Sequence, residues 1–399
     1  MLSRLNCKSL GSASPSRLSE PFQRSRARDF TLVGLICGIE FRSVETRTFR
    51  RGSCTPANRI LQRSDVPACH TESREPAGLG WSKNISEEIQ LLPSQVLGEG
   101  TSGSVVLGIE RMSKRHVAVK VLPKTGTGAV LRKNLQKIGF ELEVLETLQG
   151  CPNVVDLVGK FEDAERVYIA MELCTDGDLG CLVEQHAALS ESDVACFAYD
   201  MLSVLADIHS AGLAHCDVKP ENFIVSTDSQ GRRMLKAVDF GCAQRIRDGH
   251  RLREKTGTPL YRAPEMYSRQ YGQEADLWSA GMIIYQLICG QMCFWDCLEE
   301  CTLQSVMDAV LNQEVTFDCP AWKQTSPEAA ELVGQLLRRN PKERISAEAA
   351  LSHRWFALNC PDRQAQDQLR RGRAVGNVVP KPAGMPKLSV RPSLAQAEP

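Results

Sequence analysis

The chain has 399 residues, of which 42% are apolar, so it can form one large unit of about 250–300 residues with tails, or two or three average domains. Its 48 basic and 48 acidic residues cancel, which gives no support for binding nucleic acid or an anionic membrane. No apolar run approaches the roughly 18–20 residues that a transmembrane segment needs. The 16 cysteines are scattered along the chain, which favours reduced thiols in an intracellular protein.

The first part of the chain is basic and has no sustained periodicity. Residues 1–60 hold eleven Lys or Arg and four Asp or Glu, together with many serines. This composition is typical of a plastid or mitochondrial transit peptide, and equally of a disordered basic tail on a cytoplasmic protein. Residues 61–88 are rich in Gly, Pro and Ser, so we predict a disordered N-terminal region and linker over residues 1–88.

A glycine-rich stretch follows the first globular pattern. Gly98, Gly100 and Gly103 lie between two runs with strand-like alternation. Dinucleotide-binding folds share this spacing, but there the third glycine opens a helix, whereas residues 104–109 here continue as a strand. The stretch is therefore predicted to be a hairpin that can lie over phosphates and offer them backbone N–H groups. A dinucleotide-binding dehydrogenase is disfavoured for the same reason.

The chemistry-bearing residues are concentrated in two later motifs. Asp217, Lys219 and Asn222 fall within six residues, and Asp239 follows Asn222 by seventeen, after another strand-like run. An acidic and an amide group at successive strand ends suit a divalent cation that sits between phosphates. Asp217 is then available to orient a hydroxyl group and to accept its proton.

These motifs together resemble the catalytic and metal-binding motifs of the eukaryotic protein kinases. Lys219, followed by Pro-Glu-Asn, is similar to the serine/threonine branch. The succession of motifs over residues 281–356 resembles the calcium/calmodulin-dependent kinase group, in particular plant calcium-dependent kinases and the kinases of phosphoenolpyruvate carboxylase. The resemblance covers residues 89–356. It implies an α+β, two-lobed fold, with a small antiparallel β-sheet lobe that carries one main helix and a larger, mostly helical lobe.

The resemblance also implies the reaction, which is transfer of the γ-phosphoryl group of ATP to Ser or Thr hydroxyls of protein substrates, with Mg²⁺ as cofactor. Asp217 would orient and deprotonate the acceptor, and Lys219 would contact the γ-phosphate. Asn222 and Asp239 would hold the metal ions.

Lys120, at the end of a strand-like run, matches the lysine that clamps the α- and β-phosphates. The helix predicted over residues 131–148 offers Glu141 as its ion-pair partner, while Glu143 would face elsewhere. The remaining nucleotide contacts implied by the resemblance are Leu97, Gly98, Gly100, Gly103, Val105, Ala118, Met171, Glu172, Cys174, Asp178 and Ile224. Asp178 is also well placed as a favourable charge at a helix N-terminus.

Three further pairings are implied. Thr258 would hydrogen-bond Asp217, Glu265 would pair with Arg344, and Asp276 would brace the catalytic loop. Each is a structural contact between distant parts of the chain.

Substrate choice and regulation are less directly encoded. Glu221, with Asp178, would pair with an arginine before the phosphoacceptor, which predicts a basophilic kinase; alternatively Glu221 only caps local structure. Cys216 replaces the arginine that receives an activation-loop phosphate in most regulated kinases. We therefore hypothesise that activity does not require phosphorylation of that loop.

Several alternatives stay open at this stage. The main rival is a pseudokinase that binds ATP or acts as a scaffold. Residues 357–399, rich in Pro, Arg and Gln, are predicted to be a disordered tail that does not favour calmodulin binding, and no EF-hand loop occurs in the sequence. Cys216 and Cys242 are interpreted as small packing residues rather than redox sensors, and Cys293, Cys297 and Cys301 as packing rather than metal-binding residues.

Overall fold

The structure is a computed structural model that describes residues 79–81, 84–100, 103–184, 189–228, 230–247, 250–294 and 302–376. The predicted transit peptide or basic tail over residues 1–60 lies outside these ranges, as do Cys297 and Cys301. None of the described helices is both long and apolar enough to cross a membrane.

Within the described residues, the sheet of the small lobe consists of five antiparallel strands, which are β1 (Ile89–Gly100), β2 (Gly103–Glu110), β3 (His116–Pro123), β4 (Leu157–Glu162) and β5 (Arg166–Glu172). A short helix, α1 (Ile85–Glu88), precedes them, and the strand order in the sheet is β1-β2-β3-β5-β4. The side chains alternate as a half-buried sheet requires; in β3, for example, Val117 and Val119 are fully buried.

One long helix, α2 (Gly128–Thr147), packs against this sheet. Leu135, Ile138, Leu142 and Leu145 are buried at helical spacing, and Glu141 lies buried beside them. The predicted helix over residues 131–148 is confirmed, with a start three residues earlier. The same apolar stripe that anchors α2 thus directs one carboxylate toward the sheet.

The larger lobe is mostly helical, which confirms the predicted two-lobed α+β kinase fold. Its helices are α3 (Leu179–Glu184), α4 (Glu191–Ser210), α5 (Pro264–Tyr267), α6 (Glu274–Cys289), α7 (Leu303–Asn312), α8 (Pro327–Leu336), α9 (Ala347–Leu351), α10 (Arg354–Asn359) and α11 (Pro361–Gly376). Short antiparallel pairs join β6 (Leu213–Ala214) to β9 (Gln244–Arg245) and β7 (Phe223–Thr227) to β8 (Arg233–Ala237).

The central helix α4 begins at a capping box formed by Ser190 and Asp193. Ser190 Oγ accepts a hydrogen bond from Asp193 N at 3.1 Å, and the Asp193 carboxylate accepts one from Ser190 N at 3.2 Å. The helix is buried around most of its circumference, which identifies it as the core element of the larger lobe.

The structure corrects both predicted tails near their borders with the folded unit. The linker predicted through residue 88 contains α1, and the backbone N–H groups of Leu79 and Trp81 donate to Glu162 at 2.9 and 2.7 Å. The tail predicted from residue 357 contains α11, which packs on α4. Polar contacts, rather than apolar packing, hold both segments in place. Their sequences are therefore polar, and their composition is similar to that of disordered segments.

Candidate active site

The strands on either side of the glycine stretch pair as an antiparallel hairpin, as predicted. Gly100 at the end of β1 pairs with Gly103 at the start of β2. Gly103 has φ +154°, and a Cβ there would lie 2.1 Å from the carbonyl oxygen of Val121, so the fold itself requires glycine at this position. A Cβ on Gly98 would meet no described atom within 4 Å. The backbone at Gly98 is therefore open to a ligand.

Lys120 contacts acidic residues from two parts of the site, α2 and the motif that contains Asp239. Its ammonium group lies 2.5 Å from Glu141 Oε1 on α2 and 2.9 Å from Asp239 Oδ1. Burial alone would lower the pKa of Lys120, but the two carboxylates outweigh it and raise that pKa. The expected ion pair between Lys120 and Glu141 is present.

Glu143 does face elsewhere, and it has a partner of its own. Its carboxylate lies 2.5 Å from the guanidinium of Arg245 in β9, after the second motif. Two glutamates of α2, two residues apart, thus contact different partners. Sequence analysis did not predict this second contact between α2 and the segment that follows Asp239.

Asp239 is held in an uncommon backbone conformation, with φ +55°. Its Oδ1 accepts hydrogen bonds from Lys120 Nζ and from Gly241 N at 3.1 Å. Burial would raise the pKa of Asp239, but the ammonium of Lys120 outweighs this effect and holds the pKa below its usual value. The next residue, Phe240, is buried and its ring centroid lies 5.3 Å from that of His215.

The Asp217 carboxylate is fixed from two sides. Its Oδ1 accepts hydrogen bonds from the backbone N–H and the hydroxyl of Thr258, both at 2.8 Å. Its Oδ2 lies 3.7 Å from Lys219 Nζ, and its backbone carbonyl accepts from Asn222 Nδ2 at 2.8 Å. Asp217, Lys219 and Asn222 therefore surround one small volume, and the implied contact with Thr258 is present.

Asp276 braces the backbone before Asp217, as implied. Its carboxylate accepts hydrogen bonds from His215 N and Cys216 N, both at 2.8 Å, and lies 2.9 Å from His209 Nε2. These contacts hold Cys216 at φ +65° in the left-handed region.

The pair of Glu265 and Arg344 is present as well. Two guanidinium nitrogens of Arg344 lie 2.5 and 3.0 Å from the two carboxylate oxygens of Glu265, and both side chains are buried. Such bidentate geometry is the strong form of an ion pair, and it fastens the segment after the activation loop to the end of the lobe.

Several residues predicted to contact the nucleotide lie on neighbouring strands of the small lobe. Ala118 pairs with Met171 across β3 and β5, and Val105 pairs with Lys120 across β2 and β3. Met171 is buried, whereas Leu97 is about half exposed at 48%.

The segment from Glu172 to Asp178, at the end of β5, is anchored by polar contacts. The Glu172 carboxylate forms a salt bridge with Lys236 and accepts from Asp156 N. Cys174 is half-buried, and burial raises the pKa of its thiol to about 11. The backbone of Asp178 forms an isolated antiparallel β-bridge with Ile224. The Oδ1 atom of Asp178 accepts a hydrogen bond from Cys181 N, at the start of α3, at 2.8 Å. The helix-capping interpretation of Asp178 therefore holds, and it leaves the second carboxylate oxygen for a ligand.

Tyr271 is a site residue that sequence analysis missed. It is fully buried; its hydroxyl donates to Glu254 O at 2.9 Å and accepts from Gln244 Nε2 at 3.2 Å. It lies beside Cys216, whose thiol pKa is raised by burial and by Asp276. The cysteine at position 216, where most regulated kinases have an arginine, is the sequence signal that an uncharged group tethers the segment after Asp239.

Comparison with known proteins agrees with this geometry. Residues 92–356 match the family model described as the protein kinase domain. The chain is 36% identical over 260 residues to calcium-dependent protein kinase 12 of Oryza sativa subsp. japonica, across 65% of this chain and 48% of that protein. It is 36% identical over 301 residues to CDPK-related kinase 8 of Arabidopsis thaliana, across 73% and 48%.

The chain spans about half the length of the curated relatives it matches. The similarity confirms the resemblance to plant calcium-dependent kinases that the motifs indicated. Because the family model matches most of the chain, the chain belongs to the protein kinase domain family.

Proposed function

We propose that the chain is a serine/threonine protein kinase that uses ATP. The observation that carries this proposal is the Lys120 ammonium, which contacts both Glu141 and Asp239. In protein kinases this lysine–glutamate pair and the metal-binding aspartate must be in place together for phosphoryl transfer. The assembled arrangement supports a competent enzyme over a pseudokinase.

Asp217 is the group suited to accept the proton of the substrate hydroxyl. Thr258 fixes Oδ1 with two hydrogen bonds, so the carboxylate does not need to reorganise when a hydroxyl approaches its other oxygen. Such a positioned base contributes ~10²–10⁴-fold to a rate. Lys219, whose ammonium lies near Oδ2, supplies positive charge where the transferred phosphoryl group would lie.

Asp239 and Asn222 fit a Mg²⁺ site. The Asp239 side chain is 46% exposed, and its lowered pKa keeps it ionised at neutral pH. Asn222 donates its amide N–H to the Asp217 carbonyl, which leaves its amide oxygen as a ligand atom. Mg²⁺ favours such sparse oxygen sites completed by phosphates, and when bound it would neutralise phosphate charge.

The test is a comparison of two isosteric variants with a control. We expect Asp217→Asn and Asp239→Asn each to lower kcat by ~10²-fold or more, because each removes a charge that the reaction uses. Asp362→Asn, at an exposed position of α11, should leave kcat unchanged. Transfer from Mg-ATP to a mixed Ser/Thr peptide library would be measured. Robust activity of purified Asp239→Asn would overturn the assignment.

A preference for arginine near the phosphoacceptor is the finer part of this proposal. Glu221 Oε2 is buried and has no hydrogen-bond partner among the described residues. Burial, with Asp178 and Asp217 nearby, raises the pKa of Glu221. A Cβ on Gly180 would lie 3.0 Å from Asp178 Oδ1 and 3.4 Å from Glu221 Cγ, so the two acidic side chains flank one glycine. A guanidinium group would satisfy both.

Matched peptides that differ only by Arg or Ala before the phosphoacceptor test this preference. We expect the wild type to favour the arginine peptide, and Glu221→Gln to lose about tenfold in kcat/KM for that peptide alone. Equal losses for both peptides would assign Glu221 to local structure instead.

A further inference from the structure

Helices α4 and α11 meet along a stripe of regularly spaced contacts. Ser192 Oγ donates to Asn359 O at 2.8 Å, and one turn later along α4 the carbonyl of Cys196 accepts from Arg363 at 3.0 Å. A further turn along, Asp200 forms a salt bridge with the same guanidinium group. Residues four apart on a helix share one face, so these contacts fix the register of the two segments.

That register brings two thiols together. Cys196 lies between Ser192 and Asp200 on the contacting face of α4, and Cys360 lies between Asn359 and Arg363. The two thiols are neighbours at this contact, and both line one cavity of about 490 Å³. Cys196 is half-buried and Cys360 is 5% exposed, so the cavity is the route by which a small reagent reaches them.

The two thiols differ in acidity. The hydrogen bond from Cys360, with the positive charge of Arg363, lowers the pKa of Cys196 to about 7. The same hydrogen bond and burial raise the pKa of Cys360. At neutral pH about half of Cys196 is therefore a thiolate, whereas Cys360 keeps its proton.

We propose that Cys196 and Cys360 are a peroxide-sensitive thiol pair whose disulfide fastens the start of α11 to α4. The Cys196 thiolate attacks one oxygen of hydrogen peroxide; the O–O bond breaks, hydroxide leaves and takes a proton to become water, and Cys196 becomes a sulfenic acid. The Cys360 sulfur then attacks the Cys196 sulfur. The S–O bond breaks, a second water leaves with the Cys360 proton, and the disulfide forms.

Another close pair in the same lobe serves as an internal comparison. The Sγ atoms of Cys289 and Cys319 lie 2.9 Å apart. Burial and the hydrogen bond to Cys319 raise the pKa of Cys289, so this pair has proximity but a poorer nucleophile. Burial also raises the pKa values of Cys216 and Cys242, next to the proposed active site. Hydrogen peroxide should therefore oxidise Cys196 and Cys360 before it oxidises Cys289 and Cys319.

The test uses the reduced full chain, titrated with hydrogen peroxide at pH 7 and analysed by differential alkylation and peptide mass spectrometry. We expect Cys196 and Cys360 to lose alkylation together and to appear as one linked peptide pair ~2 Da lighter than the two reduced peptides. Cys289 and Cys319 should stay alkylable at that dose. Alkylation of the α11 pair that persists after the Cys289 pair is oxidised would overturn the proposal.

Two variants separate the roles of the sulfurs. In Cys360→Ser, Cys196 should stop at the sulfenic acid and be trapped by dimedone; in Cys196→Ser, Cys360 should stay reduced. The alkylation rate of Cys196 in the wild type should reach half its maximum near pH 7, against about 8.5 for an ordinary thiol. A half-maximum near 8.5, or trapping at Cys360 instead of Cys196, would contradict the assignment. None of these measurements depends on kinase activity.

Discussion

At the residue scale, two glycines of the hairpin are explained by different constraints. Gly103 is required by the packing of the fold, whereas Gly98 is explained by the approach of a ligand. Gly103 has no room for a side chain, because the backbone of β3 lies directly against it. Gly98 has open space in the described structure, so packing gives no reason for glycine there. Close approach of phosphate groups to the backbone does give a reason.

Alanine substitutions at these two glycines should therefore have different effects. We expect Gly103→Ala to lower the melting temperature by a few degrees, because strain from a Cβ at a close contact costs about 1 kcal/mol or more. Gly98→Ala should leave the melting temperature within about a degree and instead raise KM for ATP several-fold.

Thermal melts of the apo variants and ATP titrations distinguish the two effects. An apo Gly98→Ala protein that melts as low as Gly103→Ala would show that Gly98 has a structural role. Unchanged KM for ATP in Gly98→Ala would argue against phosphate approach at this glycine.

Residue contacts that follow from motif spacing could be predicted from the sequence, and those that depend on the path of a loop could not. The pairs Lys120–Glu141 and Glu265–Arg344 were expected and are present. The pair Glu143–Arg245 and the hydroxyl of Tyr271 were not expected. Both depend on where the segment after Asp239 runs, and no local periodicity encodes that path.

At the element scale, α11 shows the limit of composition as a guide to order. Its sequence has few large apolar residues, which is the usual signature of a disordered tail. The helix is held instead by arginines that pair with carboxylates of α4 more than 150 residues earlier in the chain, as the separation of 163 between Arg363 and Asp200 illustrates. A pattern of this kind is visible only once α4 and α11 are known to be neighbours.

Arg363 should be the most important of these contacts. Asp200 is buried, and burial raises its pKa to about 6 even with Arg363 beside it. Removal of one partner from a buried ion pair leaves an uncompensated charge, which costs about 3–5 kcal/mol. We therefore expect Arg363→Ala to lower the free energy of unfolding by about that amount, measured by urea denaturation.

Arg232→Ala is the matched control for this prediction. Arg232 also pairs with an aspartate, Asp228 at 2.9 Å, but its side chain is 56% exposed. An exposed pair of this kind contributes little to stability, so the control should be nearly neutral. Similar losses in the two variants would mean that burial of Asp200 does not determine the cost.

At the scale of the whole molecule, side-chain contacts tether the segment after Asp239 to both lobes. Arg245 reaches Glu143 on α2 of the small lobe, and Arg251 reaches Glu274 at the start of α6 in the larger lobe. The Tyr271 hydroxyl holds the backbone of Glu254. Cys216, in contrast, cannot pair with a phosphate as an arginine would. These contacts support activity that is independent of loop phosphorylation.

We expect protein that is produced in bacteria and treated with phosphatase to have the same kcat as untreated protein. Mass spectrometry would verify that the treated protein carries no phosphate. Tyr271→Phe should then lower kcat several-fold, because the Glu254 carbonyl and the Gln244 amide lose the hydroxyl that joins them. Tyr267→Phe is a suitable control, since that hydroxyl donates to Pro259 O outside this tether. If removal of loop phosphate abolished transfer while Tyr271→Phe changed nothing, the loop would depend on phosphorylation after all. If Tyr271→Phe lost activity while phosphatase treatment and Tyr267→Phe did not, the Tyr271 hydroxyl would be the group that holds Asp217 and Thr258 in position relative to the small lobe.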